Sequence, residues 1–122
     1  MEEKISRQIG NYVITYTYAE SKESNMISMD ILVMDMSSMI EYQTSLIRIY
    51  PTDKFNDKNK FIAVVLNIQP IITLTNNKHD PRRNKCYLHY NDNIKCCLSV
   101  NKIHKETWED SLNEHMKNIL FV

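Results

Sequence analysis

The chain has 122 residues, of which 43% are hydrophobic and 25% charged, with 15 basic side chains balanced by 15 acidic ones. This length suits one domain, residues 1–122, and is too short for two. The balanced charge argues against a dedicated duplex-DNA binder, which needs a basic excess to neutralise phosphates, and the presence of a single glycine, Gly10, excludes the glycine-rich phosphate cradles of Rossmann and P-loop enzymes.

Residues 1–10 are polar and read as a loose N-terminal segment. From Tyr12 to Tyr18 every residue is β-branched or aromatic, a strong strand signal, with Tyr12, Ile14, Tyr16 and Tyr18 on one face. A polar loop, Ala19–Asn25, leads to a second extended run, Met26–Met36. Two short strands are expected at Met39–Gln43 and Leu46–Tyr50, before Pro51 and a polar run to Lys60. The most apolar stretch, Phe61–Ile68, reads as a central strand, followed by a bend or edge at Pro70, which cannot donate to a ladder. Further strands are expected at Ile71–Thr75, Lys85–Tyr90 and Ile94–Val100, the last two forming a hairpin through Asn91-Asp92-Asn93.

The last segment changes period. Trp108, Leu112, Met116 and Ile119 recur every three or four residues, with Glu106, Asp110, Glu114 and Lys117 mostly opposite. The pattern predicts an amphipathic helix with one buried face, starting near His104 or capped at Thr107. The expected fold class is therefore β-rich α+β: about seven antiparallel strands in a curled sheet or barrel, capped by one C-terminal helix.

That order of elements resembles the pleckstrin-homology-like superfold. Cys96-Cys97-Leu98-Ser99-Val100 looks like its last strand, and Lys105–Leu112 like its closing helix, with Trp108 and Leu112 at the expected spacing of four. A large flat side chain suits a helix that plugs the open end of a bent sheet. Lipid-binding members carry a basic cluster in the first hairpin. Here that loop has only Lys22, offset by Glu20 and Glu23, so phosphoinositide binding is not implied. The resemblance implies a peptide-binding or subunit-assembly role instead.

Four groups of residues are weighed for function. Tyr12, Tyr16 and Tyr18 are candidate partner contacts, because tyrosine joins an apolar body to a polar tip and is enriched at interfaces. Lys78, Arg82, Arg83 and Lys85, with His79, form a basic loop for phosphates or nucleic acid, and Tyr87 and Tyr90 flank it for stacking. Cys86 and His89 have C-x-x-H spacing, but on a strand they face opposite ways, so no metal or cofactor is expected. Met26, Met29, Met34, Met36 and Met39 read chiefly as core.

The N-terminus lacks the apolar core of a signal peptide, and no apolar stretch reaches the roughly 20 residues of a membrane span. Three cysteines, two of them adjacent, argue against a secreted disulfide framework. The expected location is the cytoplasm or nucleus, without membrane insertion. Abundant Asn, Ile, Lys and Tyr suit a low-GC genome such as that of a virus, a protist or a yeast. No nucleophile–base arrangement follows from spacing, so the expectation is a non-enzymatic interaction module. It would be an assembly or adaptor subunit, or a viral protein binding a host factor, with protein partners or self-association. The alternative is a nucleic-acid-binding module using residues 78–85.

Overall fold

A computed structural model describes residues 2–21, 25–51 and 55–104. The chain opens with a strand, β1 (Glu2–Ile9), where the sequence suggested a loose segment. It pairs along its whole length with β2 (Tyr12–Ser21) through the two-residue turn Gly10-Asn11. Gly10 takes φ +57°, and no other residue of this turn has positive φ, the pattern of a type II′ hairpin with glycine in first place. Ile5, Arg7 and Ile9 alternate with Glu2, Lys4, Ser6 and Gln8, and the first set lies opposite Tyr16, Ile14 and Tyr12. The charges of this segment concealed a half-buried strand.

β3 (Met26–Asp35) and β4 (Ile40–Ile49) follow as ten-residue strands in continuous antiparallel register. β4 replaces the two short strands expected from the sequence. Thr44 and Ser45 do not interrupt it, because both stay paired with β3, at Ile31 and Asp30. The β3–β4 turn is held by Asp35, whose carboxylate accepts from the Ser37 amide and from the Ser37 and Ser38 hydroxyls. Burial alone would raise the Asp35 pKa, but these hydrogen bonds outweigh it and hold the group below its ordinary value.

The main correction concerns Phe61–Ile68. It belongs to a helix, α1 (Phe55–Asn67), in the middle of the chain, and not to a central strand. Lys58, Phe61, Val65 and Leu66 are buried and Ile62 half-buried, while Ala63 is exposed. This i, i+3, i+4, i+7, i+8 spacing is a helical stripe that becomes visible only when the polar residues before Phe61 are included. The β-branched residues Ile62, Val64 and Val65 favour a strand locally, and packing against the sheet overrides that weak preference. Asp57 sits in the first turn, where the helix dipole favours an acid. The single cation on the buried stripe, Lys58, lies 3.6 Å from Glu20 of β2. Pro70, just beyond the end of α1, cannot continue a helix.

The last three strands are β5 (Ile71–Leu74), β6 (Lys85–His89) and β7 (Lys95–Ile103). The seven strands form one antiparallel sheet in the order β1-β2-β3-β4-β7-β6-β5, curled into a half-barrel. The β6–β7 hairpin turns as expected at Asn91–Asn93, where the Asn91 side chain accepts from the Asn93 and Ile94 amides.

The core lies on the concave face, between the sheet and α1. Ile14 and Tyr16 of β2, Ile31 and Val33 of β3, Tyr42 of β4 and Leu98 of β7 belong to one buried apolar cluster with Phe61 and Val65 of α1. Each fully buried aliphatic side chain contributes about 1.5–3 kcal/mol over leaving it in water. The expected C-terminal helix with Trp108 lies outside the described residues.

Candidate functional site

The sheet is not closed evenly. β4 pairs with β7 only from Ile40 to Gln43, the last pair being Gln43 with Ser99. The other end of β7, Lys95–Ser99, pairs with β6. A bulge at Glu41/Tyr42 shifts the register, and the Asn101 amide donates to Glu41 at 2.6 Å beside it. Bulges bend and twist a strand. Beyond Gln43 the two strands part, and residues 44–49 of β4 have no backbone partner on that side among the described residues.

Burial falls where β7 leaves. On the inner face Ile40 and Tyr42 are buried, Thr44 and Leu46 half-buried and Arg48 exposed; on the outer face Glu41 and Gln43 are half-buried and Ser45, Ile47 and Ile49 exposed. Ile47 is 69% and Ile49 71% exposed, both on the outer face of the sheet. The inner side of this segment is supported by α1, with the Arg48 guanidinium 4.4 Å from the centre of the Phe61 ring. A cleft of about 530 Å³ opens beside it, lined by Tyr50, Phe61, Val64 and Ile94 together with Arg48 and Lys60.

The tyrosines of β2 occupy the concave face. Tyr16 is fully buried, which makes it a core side chain with no surface to offer a partner. Its hydroxyl is hydrogen-bonded to that of Tyr90, and burial pushes both pKa values up. Tyr12 and Tyr18 are half-buried. The Tyr18 hydroxyl donates to Glu3 of β1, and that bond is the main reason its pKa is pushed up to about 12. The parity read from the sequence is the parity observed. What the sequence did not reveal was which face the helix covers.

Of the basic loop, Lys78, Arg82 and Arg83 are exposed, and Lys85 is half-buried with its ammonium donating to Ser99 at 2.8 Å. Pro81–Arg83 forms a short 3₁₀ turn capped by Asp80, whose carboxylate accepts from the Arg82 amide and lies 3.7 Å from Arg83 Nε. Tyr87 lies on the outer face of β6, with the Lys95 ammonium 4.7 Å from its ring centre and the His89 ring 6.3 Å away. Tyr90, by contrast, is buried and does not extend this surface.

Cys86 and Cys96 are buried, while Cys97 is exposed on the outer face. His89 meets Thr73 at 3.0 Å, on the opposite face of β6 from Cys86. The described residues contain no group of three or more His, Cys, Asp or Glu side chains arranged to hold a metal ion. Among the described residues no helix is long and apolar enough to cross a membrane.

The open half of β4 was missed from the sequence. Leu46, Ile47 and Ile49 signal a strand, but the departure of its neighbour depends on a bulge against residues some 60 positions away. No protein-family model, curated protein or solved structure matches the chain.

Proposed function

We propose that the chain is a non-enzymatic interaction module that binds another polypeptide by strand addition at the open half of β4. One observation carries this reading. Among the described residues, the side of 44–49 away from β3 has no backbone partner, and the segment bears Ile47 and Ile49, the two most exposed large apolar residues of the β1–β4 meander. Unpaired donors and acceptors spaced along a strand are matched by the main chain of another strand, and neighbouring apolar side chains supply area and selectivity. The test is the mass of the complex carrying the tagged chain purified from native material. The proposal expects a protein partner that is lost when Ile47 is changed to Lys. A complex unchanged by that substitution, or a lone monomer, would end it.

The alternative reading is nucleic-acid binding, favoured by the exposed Lys78, Arg82 and Arg83 at one end of a face carrying Tyr87 and Lys95. Cations with a stacking ring suit single strands. This reading requires affinity for an oligonucleotide that falls steeply with salt and is lost on changing Arg82 and Arg83 to Ala. The absence of binding at low salt would exclude it.

A further inference from the structure

We infer that the polypeptide taken by the open half of β4 is a second copy of the same segment, so that two chains pair β4 to β4 about a two-fold axis at Ile47. The inference rests on the strand-addition reading and names its partner.

The sheet's edges are not equivalent. β1, at one outer edge, carries Glu2, Glu3, Lys4 and Arg7. Such charges are how natural edges discourage pairing. β5, at the other, has only four residues. Among the described residues, 44–49 have neither protection: they form a six-residue run in which Arg48 is the sole charge, and Arg48 lies over the Phe61 ring.

The segment is also compatible with itself. A two-fold contact presents the same patch from both chains, so each residue i that meets j is matched by j meeting i. With Ile47 opposite its own copy, Ser45 meets Ile49 on the outer face. On the inner face Leu46 meets Arg48, and Thr44 meets Tyr50. Two apolar side chains face each other at the centre, and no like charges are opposed. Moving the axis to Arg48 would oppose two guanidiniums, which destabilises a cross-strand pair. Centring it on Leu46 would set Ile47 against Ser45 and move the apolar pair to Leu46, which already packs against the core of its own chain, leaving the exposed Ile47 without an apolar partner. Of these three registers, the one centred on Ile47 alone sets two exposed apolar side chains against each other without opposing like charges. A contact of this length falls in the small-interface class, below about 1,200 Å² of total buried surface, so the dimer depends on concentration.

Because Ile47 opposes itself, the register is tested by charge exchange. Sedimentation velocity across a concentration series should show monomer converting to dimer for the wild-type chain. Ile47→Lys and Ile47→Glu should each stay monomeric, since each opposes like charges, and their equimolar mixture should recover the dimer. Ile47 is 69% exposed, and circular dichroism on both variants confirms that the fold is kept. A dimer unaffected by Ile47→Lys overturns the inference, as does a mixture that fails to recover. A wild-type chain that remains monomeric at all concentrations also overturns it. In that last case strand addition survives only if the complex from native material still depends on Ile47, which points to a different polypeptide.

Discussion

Tyr16 and Tyr90, 74 positions apart in sequence, meet hydroxyl to hydroxyl inside the core. The pair ties β2 to the end of β6 across the concave face. Each hydroxyl satisfies the other, so removing one strands its partner in an apolar setting. Tyr16→Phe and Tyr90→Phe should each cost about 1–3 kcal/mol. The double variant should cost clearly less than the sum, because it removes both polar groups together. Urea unfolding of the four proteins measures the coupling, and strictly additive losses would show that the two hydroxyls act independently.

The helix makes a prediction that a strand cannot share. In a strand, Phe61, Ala63 and Val65 would lie on one face. In α1, Phe61 and Val65 are buried and Ala63 is exposed. Phe61→Ala should therefore cost about 3–5 kcal/mol, whereas Ala63→Lys should fall within about 0.5 kcal/mol of wild type. Equal, large losses at 61 and 63 would restore the strand.

The buried thiol links stability to alkaline pH. Burial, reinforced by Asp35, raises the Cys86 pKa from an ordinary 9.0 to about 12. The folded chain thus holds this proton where the unfolded chain has lost it. The contribution is whole below pH 9.0 and disappears as the pH climbs toward about 12. The buried tyrosines Tyr16 and Tyr90 shift in the same direction. Chemical unfolding across this window should show stability falling with pH, with a shallower slope in Cys86→Val. A thiol reagent should modify Cys97 in the folded chain and reach Cys86 and Cys96 only on unfolding.

Local pattern made much of the sheet legible. The alternation from Tyr12 to Tyr18, the long run from Met26 and the asparagine-rich turn at Asn91–Asn93 all correspond to observed elements. Two errors had local causes. At the N-terminus, charged residues masked the period-two set Ile5, Arg7 and Ile9, although the adjacent Gly10-Asn11 is a hairpin signal in its own right. Around Phe61, a short apolar run does not distinguish a buried strand from a buried helix face, and Lys58 hid the preceding turn of the stripe. The open half of β4 was illegible for another reason. It is set by where β7 stops pairing, and that depends on the stagger between distant strands and not on residues 44–49 themselves.

Backbone amide exchange along β4 is the most direct test of the account. In dilute solution, alternate amides of residues 44–49, those facing away from β3, should exchange rapidly while their neighbours bonded to β3 are protected. Raising the chain concentration should slow the rapid set. If every amide from 44 to 49 is already protected in the dilute monomer, the edge is covered within the chain itself, and association through β4 is contradicted.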